Sequence, residues 1–143
     1  MPAETIKVQP TVLVVDDDGD LLEVLGEVIE QEGYRAVTAE SCDSALALLL
    51  GGETPCVILL DLKMPGMGGE EFRRLQLADP RLCDIPVVGF TGLANGEAET
   101  RRLALSSFLR KPVKLHHLLE TIAHYCSDPD HLEGISPAKS ATG

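Results

Sequence analysis

The feature that most constrains this chain is an alternation. Five short apolar runs of strand length are each followed by a stretch with the three-and-four spacing of a helix. The first run, TVLVV at 11–15, stops abruptly at Asp16, Asp17 and Asp18. Residues 19–32 then carry Leu21, Leu22, Leu25, Val28 and Ile29 on one helical face, with Gly33 as a C-terminal stop. A second strand is predicted over 34–38, followed by a helix capped by Ser41 with Ala45, Leu46, Leu48 and Leu49 on its apolar face. CVILL at 56–60 is the most hydrophobic run; it ends at Asp61 and leads through MPGMGG to a helix over 70–78. IPVVGF at 85–90 ends at Thr91, and a weakly amphipathic helix over 96–105 comes next. The last strand, 106–110, ends at Lys111-Pro112 and feeds a helix over 114–126 with Leu115, Leu118, Leu119 and Ile122 inward.

Such alternation implies parallel strands joined by right-handed crossovers, an α/β fold with an open sheet between two helical layers. With 143 residues and 44% hydrophobic composition there is material for one core. Residues 10–126 are expected to form the domain, with an N-terminal extension at 1–9 and a flexible Ser-, Pro- and Gly-containing tail at 127–143. A net charge of −11 repels polyanions and argues against a nucleic-acid partner. Aromatic residues are only 3%, too few for base-stacking or a flavin sandwich. No apolar run is long enough for a signal segment or membrane span, so a cytoplasmic protein without membrane contact is expected. Cys42, Cys56, Cys83 and Cys126 form no CxxC pair and no zinc spacing with the histidines, and are read as reduced thiols.

In a parallel open sheet, the residues just past the strands' C-terminal ends collect along one edge, where such folds bind ligands. Here that edge receives Asp16 and Asp17 from the first strand, Asp61 from the third, Thr91 from the fourth and Lys111 from the fifth. Clustered carboxylates repel one another unless a cation neutralises them, and an all-oxygen donor set suits Mg²⁺. With such an ion beside it, a carboxylate can attack phosphorus, and Asp61 is best placed to do so. Thr91 can hydrogen-bond a phosphoryl oxygen and Lys111 can pair with another. Asp18 is better explained as a helix cap, or simply as a solvated loop charge, than as part of this chemistry.

Four strings in this order, VLVVDDD at 12–18, ILLDLKMPGMGG at 58–69, VVGFTG at 87–92 and FLRKP at 108–112, resemble the receiver domain of two-component response regulators. The resemblance runs from Pro10 to Cys126. It implies a flavodoxin-like (βα)5 doubly wound sheet of order 2-1-3-4-5. It also implies a switch rather than an enzyme: Asp61 accepts a phosphoryl group from a sensor histidine kinase or histidine phosphotransfer protein. By the same similarity Asp16 and Asp17 bind Mg²⁺ with Asp61, the backbone carbonyl of Lys63 completes the metal site, and Thr91 and Lys111 follow the phosphoryl group. Lys111-Pro112 resembles the family's cis peptide. The only enzymatic steps implied are Mg²⁺-dependent self-phosphorylation and self-dephosphorylation of Asp61. The output would be an altered surface around helix four, strand five and helix five, offered to a downstream protein that the sequence does not identify.

Three departures matter. The position that usually carries a switching aromatic with a hydroxyl holds Phe108, and ALSSFLRKP lacks the usual glycine turn before strand five, so the helix-four region is expected to be reshaped. Lys63 and Leu93, on the path of a hydrolysing water in such domains, offer no base, while Gly92 leaves the site open; a long-lived phosphoryl group is expected. Arg101, Arg102, Arg110 and Lys114 make the expected output face locally basic. Aspartyl-phosphate phosphatases place a second Asp where Lys63 stands, and no GxxxxGK marks a nucleotide site. The remaining alternative is a receiver-like interaction module that works without phosphorylation.

Overall fold

The computed structural model describes residues 9–64, 68–92 and 96–126; the N-terminal extension up to residue 8, the tail from 127 and Leu93 lie outside them. In chain order the elements are β1 (Thr11–Val15), α1 (Gly19–Gln31), β2 (Arg35–Ala39), α2 (Cys42–Leu50), β3 (Val57–Asp61), α3 (Gly69–Ala78), β4 (Val87–Thr91), α4 (Gly96–Arg102), β5 (Ser107–Arg110) and α5 (Leu115–Tyr125). The strands form one parallel sheet of order β2-β1-β3-β4-β5, the flavodoxin-like arrangement.

The period of two along buried strands divides the core into two layers. Leu13, Val15, Ile58 and Leu60 face Ala45 and Leu49 of α2 and Phe72 of α3. Val12, Val14, Leu59, Val88 and Phe90 point the other way, onto Leu22, Leu25 and Ile29 of α1 and Leu118 and Ile122 of α5. Every residue of β3 and β4 is buried, and each such aliphatic side chain contributes roughly 1.5–3 kcal/mol relative to exposure. Helix starts follow local chemistry: the Asp18 side chain caps α1 by accepting from Leu21 N–H, and Ser41 caps α2 by accepting from Ser44 N–H.

Leu115, expected to face inward from α5, is exposed. Two further expectations are corrected. The fourth helix stops at Arg102 rather than at Leu105. The chain turns there through Ala104, whose φ of 57° is left-handed. The freed carbonyls of Leu103 and Ala104 accept from Arg73 of α3, at 3.0 and 2.6 Å. The turn before β5 is therefore built without a glycine. The second correction concerns the thiols: Cys56 and Cys126 are joined in a disulfide, their Cα atoms 5.3 Å apart, leaving Cys42 and Cys83 as the free cysteines among the described residues. The two half-cystines are 70 positions apart in sequence, and only the packing of α5 on the sheet brings them together.

Candidate functional site

Strand register places the site. Val15 pairs with Leu60, Leu60 with Gly89 and Thr91 with Arg110, so β1, β3, β4 and β5 end nearly level and the residues after them share one edge. Asp16 and Asp61 are buried there, with Asp17 exposed beside them, and carboxylate oxygens from the three lie within 4.8 Å of one another. Lys111 arrives from β5 across the ends of β4 and β3. Its Nζ donates to Asp16 Oδ2 at 2.8 Å and stands 3.5 Å from Asp61 Oδ2. The ring of Phe90 forms the floor under this ammonium, 4.9 Å from centroid to Nζ. The Lys111-Pro112 peptide is cis, and Lys111 N–H donates to Thr91 O at 2.9 Å, which joins the ends of β4 and β5.

The remaining donors are backbone amides. Asp18 N–H donates to Asp16 Oδ1 at 2.8 Å, and Lys63 N–H donates to Asp61 Oδ1 at 3.0 Å. Each buried carboxylate thus has one oxygen held by an amide and the other turned toward Lys111. Burial pushes the Asp61 carboxyl above the usual carboxylate range; the charge of Asp16 adds to this, while the Lys63 amide and Lys111 oppose it. For Lys111, burial works against the charge. The Asp16 hydrogen bond and the charge of Asp61 outweigh it and hold the ammonium above its ordinary value. One ammonium does not neutralise three carboxylates, and three hard oxygen donors fit a divalent cation that keeps several waters.

Thr91 is buried at the end of β4, and Phe108 is half-buried in β5, outside both core layers. Gly96 lies between them. A Cβ there would stand 3.0 Å from Thr91 Cγ2 and 3.1 Å from Phe108 Cε2, so a side chain at this position would push both by a few tenths of an ångström, and glycine lets the start of α4 sit close between them. Sequence reasoning missed Gly96 and Phe90. A glycine opening a helix is the one available signal for Gly96, whereas Phe90 reads as an ordinary core residue of a strand. Lys63 is exposed. Of the basic residues on the α4–α5 side, Arg102 is engaged by Glu99 at 2.6 Å and by Glu70 of α3 at 3.0 Å.

The family model of the response regulator receiver domain matches residues 12–123. The chain belongs to the response regulator receiver family of two-component signalling. Among relatives, the phosphate regulon transcriptional regulatory protein PhoB of Klebsiella pneumoniae is 36% identical over 115 residues, covering 78% of this chain and 49% of PhoB. The polar-differentiation response regulator DivK of Brucella ovis is 28% identical over 120 residues, covering 82% of this chain and 97% of DivK. The crystal structure of a response regulator receiver protein from Pseudomonas putida superposes with a TM-score of 0.73 at 28% identity, over 82% of this chain and 98% of that one. This receiver thus spans about half the length of PhoB and nearly all of DivK. Receivers bind Mg²⁺ at an acidic pocket and are generally not enzymes in their own right; Asp16, Asp17 and Asp61 form such a pocket here. No helix among the described residues is long and apolar enough to cross a membrane.

Proposed function

We propose that Asp61 accepts a phosphoryl group from a sensor histidine kinase or histidine phosphotransfer protein, and that residues 10–126 act as the switch domain that reads it. The observation that carries this reading is the position of Lys111 Nζ, between two buried carboxylates and 3.5 Å from Asp61. With Asp61 Oδ1 held by the Lys63 amide, Oδ2 is the oxygen that meets phosphorus, forming the P–O bond as the P–N bond to the donor's imidazole breaks. Lys111 then exchanges a carboxylate for a phosphoryl oxygen, and Thr91 supplies a hydroxyl to another. Asp16, Asp17, Asp61 and the backbone carbonyl of Lys63 are the groups that would hold Mg²⁺. That ion would screen the repulsion between Asp61 and the incoming phosphoryl oxygens.

On this reading Thr91 moves toward the new phosphoryl group, and Phe108, which shares the Gly96 contact, follows it. The surface of α4, β5 and α5 is what changes for a downstream protein, in the cytoplasm where the phosphodonor works. Self-phosphorylation from small donors and slow self-dephosphorylation are the only reactions assigned to the chain itself. Neither exposed Lys63 nor Leu93 provides a base, so the aspartyl phosphate should persist well beyond seconds.

The test is intact-protein mass after incubation with Mg²⁺ and acetyl phosphate, beside Asp61→Asn. The expected result is a Mg²⁺-dependent gain of one phosphoryl group, absent from the variant. A folded protein that binds Mg²⁺ yet gains nothing from acetyl phosphate or from a phosphorylated histidine phosphotransfer protein would leave the phosphorylation-independent module as the better account.

A further inference from the structure

We propose that Cys56 and Cys126 form a reversible dithiol–disulfide site, closed by low-molecular-weight disulfides and opened by thiols, that fastens the end of α5 to the foot of the sheet. The Cα separation of 5.3 Å suits a disulfide without backbone movement. Both residues are held in place by hydrogen bonds of their own. Cys56, just before β3, donates its N–H to Thr11 O at 2.8 Å, and Cys126, which caps α5, donates its N–H to Ile122 O at 2.8 Å.

Two features favour reversibility over a permanent staple. The exposure is asymmetric: Cys56 is partly exposed while Cys126 is 4% exposed, so an outside thiolate or disulfide meets Cys56 first. The surroundings of Cys126 also suit a free thiol. Cys126 continues the buried stripe of Leu118 and Ile122, where a thiol serves as a small hydrophobe. In a reducing compartment, a disulfide under such conditions is transient or redox-sensing rather than structural.

Closure takes two exchanges. The Cys56 thiolate attacks a disulfide RSSR, giving the mixed disulfide Cys56–S–S–R and releasing RS⁻. The Cys126 thiolate then attacks Cys56 Sγ and expels the second RS⁻, so two protons and two electrons leave the protein and RSSR becomes two RSH. Cys56 lies at the opposite end of β3 from Asp61, so the site does not depend on the phosphorylation reading. What it governs is the last turn of α5.

The full chain is equilibrated without denaturant in reduced and oxidised glutathione at graded ratios, quenched by alkylation, and read by intact mass and peptide mapping. The expected result is interconversion of two forms differing by two hydrogens, with the link mapped to Cys56 and Cys126 and with Cys42 and Cys83 outside it. The closed form should melt about 10 °C higher. Its amides at residues 122–126 should exchange roughly tenfold more slowly than in the open form. Cys56→Ser and, to keep the site apolar, Cys126→Ala should each abolish the closed form while retaining a cooperative melt. Asp61→Asn should titrate like the wild type. Full alkylation of both cysteines at every ratio, a link that opens only on unfolding, or equal exchange in the two forms would each overturn the proposal.

Discussion

Lys111 and Asp16 meet at 2.8 Å although 95 positions separate them, and the ammonium crosses the ends of two intervening strands to make the contact. The pair is asymmetric, the lysine side chain 27% exposed and the aspartate 1%. Most of what its removal costs is therefore the charge left behind on Asp16. Lys111→Met should lower stability at pH 7 by about 1–3 kcal/mol, less than for a fully buried pair because water reaches the lysine. Lys111 also restrains the upward shift of Asp61, so the variant's Asp61 carboxyl moves further up. A carboxyl raised on folding favours the folded state below its ordinary range and disfavours it as pH rises through the folded value. The deficit of Lys111→Met should consequently shrink on going from pH 7 to pH 4. Urea titrations in chelator at both pH values check this; an equal deficit would mean that the loss does not run through the Asp61 carboxyl.

Gln76 is fully buried in α3, yet it is satisfied on every side. Its Nε2 donates to Leu82 O at 2.8 Å and Ile85 O at 2.9 Å, and its Oε1 accepts from Arg73 at 2.7 Å. Through Arg73 the network reaches the carbonyls of Leu103 and Ala104, so one amide helps hold the turns on both sides of β4. Gln76→Leu keeps the volume but strands these groups, and should cost roughly 2–3 kcal/mol by chemical denaturation. Leu77→Ala, at a neighbouring exposed position, should stay within about 0.5 kcal/mol. A near-neutral Gln76→Leu would show that the turns hold without the amide.

The alternation of apolar runs and helical periods was enough to place every strand to within about two residues and to bring Asp16, Asp61, Thr91 and Lys111 to one edge. A strand buried on both faces has little choice of partner class, and its C-terminal residue has little choice of edge. What stayed hidden depends on contacts between residues distant in sequence. Gln76 and Arg73 read as ordinary polar helix positions, because the carbonyls they serve belong to other turns. The left-handed Ala104 carries no glycine to announce it. The pairing of Cys56 with Cys126 follows from how α5 lies on the sheet, which cysteine spacing does not encode.

Gly89 sits in the middle of β4, where glycine is otherwise unfavourable. A Cβ there would stand 2.9 Å from Leu62 Cδ1 and 3.0 Å from Leu105 Cδ1. Leu105 belongs to the core and Leu62 packs against it, so both side-chain ends must shift to admit the methyl group in a region that is already closely packed. Gly89→Ala should therefore lose about 1–3 kcal/mol despite its better strand propensity. Thermal melts beside the Lys111→Met variant provide the measurement, and a rise in Tm would mean that Leu62 has room to rotate away.

Cys42 opens α2, a position where the helix dipole favours a thiolate, yet burial wins. With the sulfur enclosed and the charges of Asp43 and Asp61 adding to the effect, the thiol is pushed up to about 11. It should therefore resist iodoacetamide in the native protein from pH 7 to pH 9, while the partly exposed Cys83 is modified throughout. A thiol raised on folding contributes stability that is present below its ordinary value near 9 and lost as pH rises through about 11. Cys42→Ala, which removes that contribution, should flatten the alkaline fall in Tm between pH 9 and pH 11 as well as cost packing at all pH values. Peptide mapping of alkylated native protein reads the first expectation and paired melts read the second. Modification of Cys42 at pH 7 at the rate of Cys83 would show instead that the start of α2 opens to solvent.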